Sequence, residues 1–184
     1  MVCLEFVSKL LVSVSTKKAP CAPFLFSCLD EFIFYPEIPE NHSLIVGGVK
    51  IESNIGAVGH SDADVLLHAI CDALLGAANL RDIGFHFSDT DPQYKGIDST
   101  ILLSNVFQKI NEKGYSVVNI DCTVVLEKPK LNTYIPNMQT IIAKLIGVEE
   151  DAVSLKATTH EKVDSFGESR AIKAYASVLL TKEN

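Results

Sequence analysis

The sequence predicts an α+β fold, an α/β sandwich in which a mixed sheet carries its helices on one face. Three observations support this class. Several segments alternate apolar and polar residues as strands do, three others repeat apolar residues with a helical period, and the two kinds of segment alternate along the chain. The elements follow in the order strand, helix, helix, strand, helix, strand, strand.

The first two elements are a short strand and an apolar helix. Residues 43–51 are predicted to form a strand that a pair of glycines interrupts, and residues 53–56 are predicted to form a turn. The helix is expected to begin near Ser61, where Ser61 or Asp62 can cap it, and to end by Asn79. Its apolar residues recur with a helical period, so one side of this helix is expected to be buried.

The remaining elements have recognisable ends. Asp98 or Ser99 can cap the next helix and Gly114 can end it, Pro129 ends the long strand, and Pro136 is tolerated in the first turn of a helix. The predicted bounds are a helix over 98–114, a strand over 115–128, a helix over 135–147, and strands over 152–159 and 171–182.

The composition limits the classes of function. With 184 residues, 47% of them hydrophobic and 21% charged, the chain is expected to form one domain with a real core. The formal net charge of −7 argues against general binding of nucleic acid. No segment reaches the roughly 18 apolar residues that a membrane span needs. An acidic chain can still bind a small phosphorylated substrate when a divalent cation supplies positive charge.

The chain divides into an atypical N-terminal segment, residues 1–43, and a regular domain, residues 44–184. We interpret the N-terminal segment as a transit-like peptide, a disordered extension or a misassigned start, because residues 1–29 contain a single acid, Glu5, beside three lysines and several serines. The location is expected to be the cytoplasm in a bacterium, or the plastid if the segment is a transit peptide.

Cysteine usage favours a reducing compartment. The five cysteines stand at positions 3, 21, 28, 71 and 122 and form no CxxC pair. Neither a disulfide framework nor a four-cysteine zinc site is therefore expected. Cys71 and Cys122 lie in apolar segments, where buried free thiols are predicted.

Four metal-capable side chains recur at every fourth position: His60, Asp64, His68 and Asp72. On a helix this spacing places them along one face, and polar groups on an apolar helix are costly unless something binds them. His68 is the candidate metal ligand, with Asp64 or Asp72 holding its second ring nitrogen. The alternative is a histidine that pairs with an acid on a solvated face.

Further polar groups near this helix are candidates for ligand binding. His60 is expected beside the helix N-terminus in an anion pocket suited to phosphate, unless this segment only caps the helix. Asp82 offers an acceptor to a sugar hydroxyl, because the nearby Gly84 permits close approach. Asp89 and Asp91 suit hydroxyl binding or a mobile lid, and equally a solvated turn.

A second group of candidates follows the strand predicted over 152–159. The hydroxyls of Thr158 and Thr159 can grip a diphosphate, and the carboxylate of Glu161 can hold a hard cation. Lys128 and Lys130 end the long strand, where backbone groups can bind a base edge and Lys130 can screen charge. Either cluster would also be ordinary on a solvated surface.

Together these segments resemble the 2-C-methyl-D-erythritol 2,4-cyclodiphosphate synthase family of the non-mevalonate isoprenoid pathway. The resemblance covers residues 44–182 and is carried by the segments IVGGV, GHSDADVLLHAICDALLGAANLRDIG, SDTDP, KGIDS, EKPK, IPNM and KATTHEK. It implies a phosphorus–oxygen lyase that converts 4-diphosphocytidyl-2-C-methyl-D-erythritol 2-phosphate to the 2,4-cyclodiphosphate and releases CMP. It also implies a homotrimer with active sites between subunits.

The resemblance implies a role for each candidate residue. His68 is implied to bind zinc with Asp72 behind it, and Glu161 to hold a second cation, magnesium or manganese. His60 and Thr159 are implied to steady the phosphates in the transition state. The other implied substrate contacts are Ser61; Asp82, Ile83 and Gly84 at the ribose; the flap residues Phe87, Ser88, Asp89, Thr90 and Asp91; the cytosine loop Leu126, Glu127, Lys128, Pro129, Lys130, Leu131 and Asn132; and Thr158, Thr159, His160 and Glu161.

One segment departs from this family. Its members carry Asp-x-His on their first strand, and these two residues complete the zinc site with the residue that corresponds to His68. No Asp-x-His occurs in the N-terminal segment, and ungapped placement puts Phe34 and Pro36 at the ligand positions. The nearest substitutes are Asp30 and His42. We therefore expect weak zinc binding and poor turnover, with CDP still bound in the presence of magnesium.

Three functions follow from these observations. The leading one is a cyclodiphosphate synthase. The alternative is a zinc-deficient, catalytically impaired trimer that keeps the nucleotide pocket. A generic metal-dependent phosphohydrolase would instead use water as the nucleophile and yield a linear monophosphate.

Overall fold

The computed structural model describes residues 24–33 and 43–182, and in these residues a four-stranded mixed sheet forms the centre of the fold. The strands are β1 (Phe24–Ile33), β2 (Leu44–Val46), β3 (Val49–Ile51), β4 (Tyr115–Val125), β5 (Val153–Thr158) and β6 (Ala171–Lys182). The helices are α1 (Val65–Ala77), α2 (Ile83–His86), α3 (Ser99–Glu112), α4 (Ile135–Leu145) and α5 (Asp164–Gly167). Single 3₁₀ turns lie at Pro92–Tyr94 and Glu150–Ala152.

The strand order in the central sheet is β1-β6-β4-β5. β6 pairs antiparallel with both β1 and β4, whereas β5 runs parallel to β4. β1 and β5 are therefore the two edges of this sheet. α1 packs against β1 and β6, α3 packs against α1 and β4, and α4 packs against β5. The predicted α+β class with a mixed sheet is confirmed.

The face of the sheet opposite α1 is open in the single chain. Leu29 on β1 and Tyr175 on β6 are register partners, and they are 44% and 41% exposed. The flanking β6 residues Ala174 and Ala176 point to the other face and are buried. The helices therefore cover one face of the sheet, as the sequence predicts, and leave apolar side chains on the other.

α1 is the most deeply buried helix of the described chain. Its buried residues are Val65, Leu66, Leu67, Ala69, Ile70, Cys71, Ala73, Leu74 and Leu75. A helix that is apolar on nearly all sides must be covered on nearly all sides, and here the sheet and α3 cover it. Cys71 here and Cys122 on β4 are buried free thiols, which confirms the prediction for both.

The start of α1 differs from the prediction. Ala63 has φ +58°, a left-handed conformation that cannot continue a helix, so a start near Ser61 is excluded. The residue that caps the helix is Asp64, whose side chain accepts hydrogen bonds from the backbone N–H of Leu66 and Leu67. The predicted stripe is therefore broken, because only His68 and Asp72 of its four residues lie on α1.

Residues 43–51 form a hairpin where the sequence predicts one strand. β2 and β3 pair antiparallel on either side of Gly47 and Gly48, which have φ of +61° and +74°. Two successive left-handed residues make the tight turn that joins antiparallel strands, and glycine adopts this conformation without strain. The glycine pair thus reverses the chain instead of only interrupting a strand.

Other predicted elements are confirmed with shifts of a few residues at their ends. α3 begins after Asp98, which caps it, and α4 keeps Pro136 in its first turn. The short helices α2 and α5 lie in segments for which the sequence predicts no helix. The sheet also begins before residue 44, because β1 lies in the segment interpreted as atypical. None of the described helices is long and apolar enough to span a bilayer.

The contact between β1 and α1 leads to a testable expectation. A Cβ atom at Gly76 would stand 2.3 Å from the Phe26 ring, so Gly76→Ala should destabilise the fold by about 1–3 kcal/mol. Alanine otherwise favours a helix interior over glycine by about 1 kcal/mol. Urea unfolding of Gly76→Ala in the parent and in a Phe26→Leu background measures the difference. If Gly76→Ala stabilises both backgrounds equally, β1 does not pack on α1 as described.

Candidate functional site

Two cavities contain most of the candidate residues. The first cavity has a volume of about 450 Å³ and is lined by Asp30, Phe32, His60, Ser61, His68, Asp72, Ile83, Gly84, Phe87, Asp89, Tyr94, Ile97 and Leu102. The second has a volume of about 520 Å³ and is lined by Leu126, Lys130, Leu131, Asn132, Ile135, Leu155, Lys156, Ala157, Thr158 and Thr159.

The two cavities lie at opposite edges of the central sheet. Asp30 and Phe32 of the first cavity belong to β1, whereas residues 155–158 of the second cavity belong to β5. Strands β6 and β4 stand between those edges. At about 4.8 Å per strand, the edges are roughly 14 Å apart. One chain therefore does not merge the two cavities into a single site.

His68 on α1 is the central side chain of the first cavity. Its Nε2 atom lies 3.0 Å from the Ser61 hydroxyl oxygen and 3.1 Å from the Ser99 hydroxyl oxygen. Its Nδ1 atom lies 3.5 Å from Oδ2 of Asp30. Burial lowers the pKa of the imidazole to about 4, so the ring is neutral at neutral pH, the form that binds metal ions.

The hydrogen bonds around His68 assign its tautomer. The Ser99 hydroxyl donates to Oδ1 of Asp62 at 2.5 Å, so its oxygen accepts a hydrogen bond from the N–H at Nε2 of His68. Nε2 then carries the hydrogen, and the lone pair of Nδ1 points toward Asp30. Two electron-rich atoms, Nδ1 of His68 and Oδ2 of Asp30, therefore face each other in the cavity, where a cation between them would be stabilised.

Asp64 does not hold the His68 ring, as one of the sequence alternatives proposed. Its carboxylate is fully buried and accepts the backbone N–H of Gly47 and Gly48 in addition to those of Leu66 and Leu67. Burial raises its pKa to about 6. The carboxylate joins the hairpin to the start of α1 and serves the fold.

Asp72 also has a different neighbour from the expected one. Oδ1 of Asp72 accepts the backbone N–H of Ile83 at 2.6 Å, and Oδ2 lies 3.9 Å from Sγ of Cys28. Burial raises the pKa of this carboxyl group. Asp72 therefore fixes the start of α2 at the cavity wall, and the carboxylate that faces His68 is that of Asp30.

His60 and Ser61 both line the first cavity, but the expected anion pocket at a helix N-terminus is not formed there. α1 begins four residues further on, and the amides of Leu66 and Leu67 in its first turn already donate to Asp64. A phosphate in this cavity would therefore meet the exposed His60 side chain and not free amides of the helix.

The ribose and flap candidates separate into two groups. Ile83, Gly84, Phe87 and Asp89 line the first cavity. The remaining residues make local contacts: Asp82 caps α2 through the N–H of Phe85, Ser88 bonds to Thr90, and Asp91 caps the turn at Pro92–Tyr94. Asp91 therefore has the turn-forming role that was the alternative for it.

The cytosine-loop and phosphate candidates gather at the second cavity. Leu126, Lys130, Leu131 and Asn132 line it together with Thr158 and Thr159. The other candidates lie beside it and contact one another: Thr159 donates to Glu161 at 2.5 Å, the N–H of His160 donates to Glu127 at 3.2 Å, and Lys128 and Pro129 complete the loop. The two residues expected at the phosphates, His60 and Thr159, are thus in different cavities.

Sequence reasoning missed Phe32 beside His68 and Tyr94 in the cavity lining, and it named Asp62 and Ser99 as helix caps without their connection to His68. Asp30 was considered only as a substitute, whereas its partner in that suggestion, His42, lies outside the described residues, as do Phe34 and Pro36. For Asp30 and Phe32 the sequence does carry a signal. Side chains alternate between the two sides of a strand, so Phe26, Cys28, Asp30 and Phe32 are expected on the same side of β1.

The donor set of the first cavity fits a zinc ion only in part. Two ligands of a tetrahedral zinc ion with bonds of about 2.0–2.1 Å stand roughly 3.3 Å apart, close to the separation of Asp30 and His68. A catalytic zinc site uses three protein ligands. Among the described residues, no group of three or more histidine, cysteine, aspartate or glutamate side chains could hold a metal ion.

Comparison with known proteins supports the resemblance found in the motifs. A family model described as the YgbB family matches residues 31–181. The 2-C-methyl-D-erythritol 2,4-cyclodiphosphate synthase of Porphyromonas gingivalis is 56% identical over 143 residues, which cover 78% of this chain and 88% of that protein. The synthase of Bacteroides fragilis is 51% identical over 146 residues, 79% of this chain and 92% of that protein.

A solved structure agrees with this assignment. The IspF structure of Plasmodium falciparum in complex with CDP has a TM-score of 0.76 and 31% identity to this chain. The match covers 88% of this chain and 97% of the other. A family model that matches most of the chain, and relatives above 50% identity, show that the chain belongs to the YgbB family.

Proposed function

We propose that this chain catalyses the reaction named by its curated relatives, ring closure of 4-diphosphocytidyl-2-C-methyl-D-erythritol 2-phosphate to the 2,4-cyclodiphosphate with release of CMP. The observation that carries the proposal is the division of the candidate residues between two cavities. The ribose candidates Ile83 and Gly84 line the first cavity, and the cytosine loop lines the second. The ribose and the base of one nucleotide are covalently joined, whereas the two cavities of one chain lie on opposite edges of the sheet. The ribose candidates and the cytosine loop can therefore bind the same nucleotide only if they come from two different chains.

The proposed site therefore lies between copies of this chain in a homotrimer. The first cavity of one copy faces the second cavity of its neighbour, and each copy contributes both halves to different sites. In this arrangement the open face of the sheet is available for association, and Leu29 and Tyr175 are its exposed apolar side chains. In this arrangement His60 of one copy and Thr159 of the next stand at the same diphosphate.

Catalysis in this site consists of positioning and charge stabilisation. The 2-phosphate oxygen attacks the phosphorus of the neighbouring β-phosphate. The new P–O bond closes the ring as the bond to the CMP oxygen breaks, and CMP leaves with the electron pair. His60, Thr158 and Thr159 hold the phosphates for this attack, Phe87 and Asp89 cover the methylerythritol, and Lys130 screens the charge of the nucleotide.

Divalent cations have two proposed positions in this site. Glu161, beside the second cavity, would hold magnesium or manganese together with the substrate phosphates. Asp30 and His68 offer two ligands to a cation in the first cavity. A bound cation neutralises phosphate charge. A second candidate function, a nucleotide-binding trimer with impaired turnover, is favoured by Phe32, which lines the cavity beside His68 without offering a ligand.

Product analysis tests the proposed reaction. The full chain is incubated with the substrate and magnesium, with and without added zinc, and the products are followed by ³¹P NMR and by CMP release. We expect CMP and a cyclic diphosphate in equal amounts. A linear monophosphate would indicate a hydrolase, and CDP binding without any product would support the nucleotide-binding function.

Base selectivity tests the second cavity separately. If backbone groups of residues 126–132 bind the cytosine edge, CDP should bind more tightly than UDP by about 1–3 kcal/mol, because the wrong base leaves buried polar groups unpaired. Isothermal titration calorimetry measures both affinities. Lys130→Ala is the control, since it should weaken both nucleotides by the same factor. Equal affinities for CDP and UDP would contradict the assignment of this loop.

A further inference from the structure

The end of β1 is the part of the first cavity where this chain differs from the metal ligands that the family resemblance implies. Cys28, Asp30 and Phe32 follow one another along one side of this strand, which faces α1. Asp30 reaches His68 at 3.5 Å. The next side chain on that side is Phe32, whose ring lies 5.3 Å from the His68 ring between centroids, in an edge-on contact.

Position 32 therefore lies on the same side of β1 as Asp30 and next to His68. Phe32 lines the cavity together with Asp30 and His68, and its ring contacts the His68 ring edge-on. Ser61 and Ser99 hold Nε2, which leaves Nδ1 for a cation. An imidazole has nearly the size of a phenyl ring, so a histidine at this position would offer the cation a third ligand, a second nitrogen beside Nδ1 of His68.

We propose that the first cavity holds a divalent cation with two protein ligands from the described residues, Asp30 and His68, and that residue 32 sets the affinity and choice of this cation. This inference deepens the proposed function and rests on it for the oxygen ligands that substrate phosphates would add. With two protein ligands the site favours cations that keep several waters or phosphate oxygens, such as magnesium and manganese. Zinc prefers a set of three protein ligands and is held weakly.

Zinc affinity of the full chain tests the inference without substrate. A competition titration against a chromophoric chelator measures the affinity of the parent and of Phe32→His, and Co²⁺ absorption reports the coordination geometry. We expect Phe32→His to bind one zinc per chain at least about 100-fold more tightly than the parent, because even partners behind metal ligands change affinity 10–100-fold. Its Co²⁺ form should show the stronger visible bands of a tetrahedral site.

Three control variants separate the cation site from general effects. Phe32→Leu keeps an apolar side chain without a donor and should bind zinc as the parent does. Leu29→His adds a histidine to the same strand on its opposite, exposed face and should also leave the affinity unchanged. His68→Ala in the Phe32→His background should remove the gain. Circular dichroism and thermal unfolding verify that each variant is folded.

Two results would overturn the inference. One is a parent chain that already holds one zinc as tightly as Phe32→His, since other residues would then complete the site. The other is a folded Phe32→His variant with no gain in affinity, since position 32 would then not face the cation. A failure of CDP binding in the parent would instead contradict the proposed function, and it leaves the comparison of zinc affinities valid.

Discussion

Two variants that each lose CDP binding are expected to recover it when their chains are mixed. Gly84→Leu fills the first cavity beside the proposed ribose position, and Lys130→Glu places a negative charge at the second cavity. A Cβ at Gly84 meets only the Asp82 carboxylate at 3.4 Å, and Lys130 is exposed, so both variants should fold. If each site combines the first cavity of one copy with the second of its neighbour, random mixed trimers contain about a quarter of intact sites.

The measurement counts CDP sites per chain by equilibrium dialysis. The two variants are unfolded together in a 1:1 ratio, refolded and compared with each variant treated alone, and native mass spectrometry verifies mixed trimers. Recovery of about a quarter of the parent sites is expected. Mixed trimers that bind no CDP would locate the site within one chain, and monomeric chains that bind CDP fully would exclude a shared site.

Replacing Asp64 is expected to have the largest effect on stability. Its buried carboxylate accepts four backbone N–H groups, from Gly47, Gly48, Leu66 and Leu67. Asp64→Ala leaves these donors without a partner and should lower the free energy of unfolding by about 3–5 kcal/mol. Urea unfolding at a fixed protein concentration measures this change, because the apparent stability of the proposed homotrimer would depend on concentration.

Asp98 offers a matched control for Asp64. It also caps a helix, through the N–H and hydroxyl of Thr100, but it is exposed and joins no second element. Asp98→Ala should therefore cost about 1 kcal/mol, the usual value of an N-cap. Equal losses for Asp64→Ala and Asp98→Ala would mean that the bonds to the hairpin contribute nothing.

The sequence predicted the fold well where local signals decide the structure. Alternation and caps located β4, β6, α3 and α4 to within a few residues, because these elements have regular apolar patterns. β1 was missed because Asp30 interrupts the apolar side of the strand. The start of α1 was misplaced because Ser61, Asp62 and Asp64 are all good caps, and burial against the hairpin selects Asp64.

The candidate site was predictable in its parts but not in its arrangement. Short motifs identified His60, His68 and Gly84 in one cavity and Lys130 and Thr159 in the other. The strand order cannot be read from local patterns, so the separation of these two groups by the width of the sheet could not be foreseen. For the same reason Ser99 was missed, since it reaches His68 only through the packing of α3 on α1.

The position of the two cavities on opposite edges of the sheet makes them structurally independent within one chain. Substitutions on β1 can alter how the chain handles a cation without moving the loop after β4, because β6 and β4 stand between them. If the proposed cation and base positions are correct, a substitution at one edge of the sheet changes one of these preferences and leaves the other as it was.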